Sequence, residues 1–122
     1  MCKRMTLQEC YAMLHGNYED VKSRLSMDRL IEKFMLKFPD DTSMDLLNRS
    51  VAAGDIQESF RAAHTLKGVA ANLAFTELME SVSELTEQLR PCSAPADDAL
   101  YQKVKEAYDL TIHAIEAYKS QM

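Results

Sequence analysis

Three observations predict an all-α protein. Apolar residues recur at helical spacing in four successive stretches between about residues 41 and 120. Glycine and proline are scarce, three of each, so the chain has few tight turns with which to build a sheet of hairpins. Eight Met and abundant Leu, Ala, Glu and Lys favour helix. Four amphipathic helices with short joints must bury their stripes on one another. The expected architecture is an up-down-up-down four-helix bundle over about 41–120, with short helices in 1–38 covering one end or side. At 122 residues the chain suits a single domain, 1–122.

The elements follow in order. Thr6 can cap a first short helix whose apolar side is Leu7, Tyr11 and Leu14, and His15-Gly16-Asn17 ends it. His15 is expected as a C-terminal helix residue favoured by the dipole. A second short helix fits 18–25. Ser26 is the expected N-cap of a helix over 27–38, with Met27, Leu30, Ile31, Phe34, Met35 and Phe38 as a broad apolar face. Arg29, Lys33 and Lys37 form a basic row on another side, either a solvated face or part of a surface for an acidic partner. Residues 39–42 stop that helix and start the next, which carries Met44, Leu47 and Val51 and ends at Gly54. Asp55 can cap its successor at once, and Glu58 completes a capping-box pattern. So short a joint forces an antiparallel pair.

The central helix runs over about 56–73, roughly 27 Å. Its stripe is Ile56, Phe60, Ala63, Leu66, Ala70 and Leu73. Residues 74–75 turn the chain and Thr76 can cap the next helix, whose stripe is Leu78, Val82, Leu85 and Leu89. Residues 91–95, with two prolines, are the evident loop. A last helix over about 96–119 turns Leu100, Val104, Tyr108, Ile112 (or Thr111), Ile115 and Tyr118 inward.

Composition narrows the function. A net charge of −5 argues against a nucleic-acid surface. No apolar run approaches the roughly 20 residues that span a bilayer, and Met1–Met5 is not followed by a signal-peptide core. Cys2, Cys10 and Cys92 are odd in number and lack ligand spacing, which suggests a reducing compartment. The expectation is a soluble, cytoplasmic monomer. The Glu-x-x-His pairs of di-metal bundles and the Gly-rich phosphate loops are missing from the sequence, and no nucleophilic triad can be read in it. No metal, cofactor or catalysis of its own is expected. His113 is expected on a helix surface.

One feature of the central helix carries chemistry. His64 lies about 100° from Ala63, at or beyond the edge of the buried stripe, and Lys67 and Gly68 follow at i+3 and i+4 on its face. Glycine inside a helix costs about 1 kcal/mol relative to alanine, so Gly68 needs a reason. Either another helix packs closely there, or a second protein needs clearance to reach His64. An ordinary imidazole, with a pKa of about 6.5, is mostly neutral and nucleophilic near neutral pH. On a rigid helix it can accept a phosphoryl group, with Lys67 balancing charge on the phosphoryl oxygens. Spacing alone favours a plainer reading, a surface histidine beside an unrelated lysine.

The string His64-Thr65-Leu66-Lys67-Gly68, followed by Ala70-Ala71-Asn72-Leu73, closely resembles the signature of histidine-containing phosphotransfer (HPt) domains. Ala53-Gly54-Asp55 is similar to the family's helix joint, and the pattern of Ile31, Phe34 and Phe38 is also similar. The resemblance covers about 20–118. It implies a helical bundle that takes phosphate from an aspartate on a receiver domain and passes it to another, with no kinase activity, no nucleotide site and Mg²⁺ only on the receiver. It implies His64 as phospho-acceptor, Lys67 as phosphate-side cation and Gly68 as the clearance residue. Arg61, Ala71, Thr86 and Gln88 are the further docking candidates, residues 85–88 lying level with His64 in an antiparallel pair. Response-regulator receivers and hybrid sensor histidine kinases are the implied partners. The rivals are a docking module without covalent chemistry and an excised acceptor domain of a larger histidine kinase, though the chain begins with Met and stands alone. Two positions depart from the family pattern. Ala74 replaces a glycine that would suit a left-handed helix end; alanine costs about 1–2 kcal/mol in that conformation, so either the turn differs or Asn72 shares the strain. Val69 replaces a residue that is often serine or alanine.

Overall fold

The computed structural model describes residues 4–122, and every regular element among them is helical. Helices α1 (Leu7–Met13), α2 (Tyr18–Leu25) and α3 (Asp28–Lys37) lead through a single 3-10 turn, Phe38–Asp40, into α4 (Ser43–Ala53), α5 (Ile56–Asn72), α6 (Thr76–Leu89) and α7 (Asp98–Ser120). Met1 and Cys2, on which part of the N-terminal and cysteine reading rests, lie outside the described residues. No helix among the described residues is long and apolar enough to cross a membrane.

The last four helices pack in sequence order, α4 on α5, α5 on α6 and α6 on α7. The ring closes where the Tyr101 hydroxyl of α7 donates to Asn48 of α4. Helix α1 lies against α7, and α3 touches α7 as well. The stripes that periodicity marks are the core: Leu47, Leu66, Ala70, Leu78, Val82, Leu85, Leu89 and Val104 are fully buried. In α7 the inward residue is Thr111 rather than Ile112. Its hydroxyl is satisfied by the Ala107 carbonyl at 2.8 Å, so a threonine fits the core at no polar cost.

Several helix ends differ from expectation. Thr6 and Glu9 form the full capping box at α1. At α5 only half of one forms: Asp55 accepts from the Glu58 amide, but the Glu58 carboxylate turns to Arg61 at 3.2 Å. Ser26 does not cap α3. It ends α2 in the left-handed conformation (φ 67°), because with two residues between the helices the chain must reverse there, and α3 starts without a side-chain cap. Thr76 is already inside α6, and its hydroxyl points back to the Ala74 carbonyl instead of capping.

The α1–α2 and α5–α6 turns are clasped together. The turn keeps a left-handed end at Ala74 (φ 55°) although alanine stands there, so the strain sits on Ala74 itself and not on Asn72, and His15, beyond the end of α1, is left-handed too (φ 59°). The turn at 73–75 is buried, so its polar groups need partners. Tyr11 donates to the Leu73 carbonyl at 2.8 Å, the Asn17 amide to the Ala74 carbonyl at 2.8 Å, and the Glu77 amide to the His15 carbonyl at 3.2 Å. The His15 ring meets Glu77 at 2.6 Å, which replaces the expected helix-end role. Tyr11, Phe75, Phe38 and Tyr108 stack in succession beneath the clasp, with ring centroids 5.1–5.8 Å apart.

Gly16 is the closest point of this clasp. A Cβ there would stand 2.7 Å from Leu14 Cδ1, 2.8 Å from the Ala74 carbonyl oxygen and 2.9 Å from Tyr11 Cδ2. The carbonyl cannot yield without breaking the Asn17 bond. Gly16→Ala is expected to destabilise the fold by about 1–3 kcal/mol, read from the urea midpoint; an unchanged midpoint would show that the two turns separate freely.

Candidate phospho-acceptor face

Helix α5 buries Ala62, Ala63, Leu66, Ala70 and Leu73 between its neighbours, which leaves its opposite side to solvent. His64 and Gly68 lie on that side and are exposed, and Lys67 is half-buried at its edge. A Cβ built at Gly68 meets nothing within 4 Å. Close helix packing is therefore not the reason for this glycine. Nothing inside the molecule repays its helix cost of about 1 kcal/mol.

Side chains from α5 and α6 frame His64. The Phe60 ring, one turn before it, lies 5.9 Å from the imidazole, centroid to centroid, at 55°. Arg90, beyond the end of α6, places its guanidinium carbon 5.4 Å from the centre of the Phe60 ring. The same guanidinium grips Glu87, with Nε donating at 3.0 and 3.1 Å and Nη2 at 2.6 Å. These bonds hold the Glu87 carboxyl below the usual carboxylate range, and the fields of Lys67 and of a protonated His64 add to the effect.

The other candidates divide. Arg61 is exposed, one turn before His64, and paired with Glu58. Ala71 is half-buried, and its carbonyl accepts from Arg24 of α2 at 3.1 Å, so α2 borders the far end of the face. Thr86 does not fit a docking surface: it is fully buried, and its hydroxyl donates to the Val82 carbonyl at 2.7 Å. Gln88 is committed elsewhere too. Its Nε2 donates to the Pro95 carbonyl at 3.0 Å and its Oε1 accepts from the Asp97 amide at 2.9 Å, which ties the 91–97 loop to α6. The exposed residue of that stretch is Glu87, whose partner Arg90 lies over the Phe60 ring beside His64. Sequence reasoning placed the right level of α6 beside His64 but chose positions turned into the core or toward the loop. It also passed over Arg90 and treated Phe60 only as core. A cue was available in α6: Glu87 and Arg90, at i and i+3, bracket the last buried Leu89.

His15 and His113 are both exposed; His15 sits in the clasp with Glu77, and His113 lies on α7. The Cys10 thiol is buried between Met35 and the Ala114 carbonyl, and burial pushes its pKa up to about 11, so it stays protonated and inert.

Comparison with curated proteins and with solved structures returns no match. Among protein families, the model of the Hpt domain matches residues 29–117, well over half of the 122 residues and all of α4 to α6. Helices α1 and α2 precede the matched span. The chain belongs to the Hpt domain family, whose members act in phosphorelay histidine phosphotransfer as carriers and not as kinases.

Proposed function

We propose that this chain is a phosphohistidine carrier with His64 as its acceptor, exchanging phosphoryl groups with aspartates of response-regulator receiver domains or the receiver of a hybrid sensor histidine kinase. The observation that carries the reading is Gly68. A solvent-facing glycine in mid-helix, one turn from an exposed histidine, costs the isolated molecule stability and benefits only an approaching partner.

A receiver domain lies over His64 and Gly68. The lone pair of an imidazole nitrogen attacks phosphorus in line with the departing oxygen. The N–P bond forms as the O–P bond of the aspartyl phosphate breaks, and the bonding pair returns to the carboxylate. The proton on the other ring nitrogen stays with the ring or leaves to solvent. Lys67 lies on the side of the face where the phosphoryl oxygens gather charge and offsets part of it. Phe60 supports the ring from the preceding turn and limits its rotation. The chain needs no cofactor of its own; Mg²⁺ bound to the receiver supplies charge neutralisation at the phosphoryl group. Both phosphorylated side chains are high-energy species, so transfer runs in either direction.

His64→Gln should abolish acid-labile, alkali-stable label from a phosphorylated receiver domain while the far-UV circular dichroism stays helical. Label on that variant would place the acceptor elsewhere. Lys67→Ala should slow transfer, and unchanged transfer kinetics would remove Lys67 from the step. At Gly68 the two properties should separate. Gly68→Ala should stabilise the fold by about 0.5–1 kcal/mol. Gly68→Gln should keep the fold but slow transfer by about tenfold or more, because displacement of the reacting atoms by an ångström is costly. A Gly68→Gln variant that transfers at the wild-type rate would remove the clearance argument.

A further inference from the structure

Glu87 is an acidic side chain placed where a phosphoryl carrier would be expected to collect cations. It is exposed, so the fold does not require it. Arg90 engages it through three hydrogen bonds of 2.6–3.1 Å, Arg90 lies over Phe60, and Phe60 lies 5.9 Å from His64, ring to ring. Lys67 is within electrostatic reach of the same carboxylate.

Before phosphorylation this arrangement is favourable or neutral, since the imidazole is neutral or positive. After it, His64 carries close to two negative charges, as phosphorylated side chains do. The carboxylate then opposes them. It also engages one edge of the Arg90 guanidinium, Nε and Nη2, and shares the field of Lys67, so the nearby positive charge is partly spent. Each effect raises the energy of phosphorylated His64. A loose phosphoryl-transfer transition state, in which charge moves away with the departing group, is raised less.

We propose that Glu87 is a positioning residue that shortens phosphoryl retention on His64, by presenting a fixed negative charge and by engaging Arg90, so that the phosphorylated chain is primed to give its phosphoryl group up. This rests on the reading of His64 as the carrier. Release to water reports the same tendency without a partner. Water oxygen adds to phosphorus, the N–P bond breaks with its pair returning to the ring nitrogen, and inorganic phosphate leaves; a water proton passes to the ring where the ring carries none, and otherwise to solvent.

The test loads wild type, Glu87→Gln and Glu87→Asp with phosphoramidate, removes the donor, and follows phosphohistidine by phosphorus NMR at low and high salt. Glu87→Gln should lengthen the half-life about two- to fivefold, the scale of one exposed charge interaction. Glu87→Asp, which keeps the charge, should stay near wild type. The difference between wild type and Glu87→Gln should shrink at high salt, which a purely structural effect would not do. Equal half-lives for wild type and Glu87→Gln, or a salt-independent difference, would overturn the proposal and leave the carrier reading intact. A wild-type chain that takes no phosphoryl group at His64 would overturn both.

Discussion

The structure depends on one helix being covered on two sides and bare on a third. Helix α5 packs against α4 and α6, and its buried stripe is built mainly of alanine, at Ala62, Ala63 and Ala70, with Leu66 filling the centre. Small residues let the neighbours come close, so a narrow stripe suffices to anchor the helix. The rest of its circumference is left free, and His64 and Gly68 stand there. A wider apolar stripe would have drawn a further helix over the same surface.

The anchoring of α5 extends past its end. Its C-terminal turn is buried, held in a left-handed bend by an alanine, and closed by hydrogen bonds from Tyr11 and Asn17. These partners come from the turn between α1 and α2 and from α1 itself, which precede the span shared with the family. Left-handed conformations at His15 and Ala74 each cost free energy, and they persist because burial and hydrogen bonding around them outweigh that cost. The N-terminal helices thus fix the end of the helix that carries His64, and through Arg24 they also border its exposed face. Rigidity there matters for any reaction that needs geometry at the ångström scale.

The surroundings of His64 are electrostatic rather than enclosed. Lys67, Arg90 and Glu87 bring two positive charges and one negative charge to an exposed imidazole backed by Phe60. In high dielectric each pair interaction is small. Small terms of this size suit a carrier, which must accept and release the same group without trapping it. Family membership accounts for phosphotransfer in general; the charges beside His64 come from Lys67 of α5 and from Glu87 and Arg90 at the end of α6.

The sequence by itself determined the helices, their buried stripes and the His64–Lys67–Gly68 face, because these follow from periodicity along one chain and from side-chain chemistry at short separation. Tertiary structure alone decided the rest. Ser26 and His15 take left-handed bends because of where the adjoining helices must go, which no local propensity encodes. Thr86 is buried, Gln88 is tied to the loop and Glu87 is exposed because of the rotation of α6 about its own axis against α5, and one residue of error in that rotation exchanges a core position for a surface one. Whether Gly68 served close packing within the molecule was likewise open until its surroundings were known, since a glycine has no side chain to declare its neighbour.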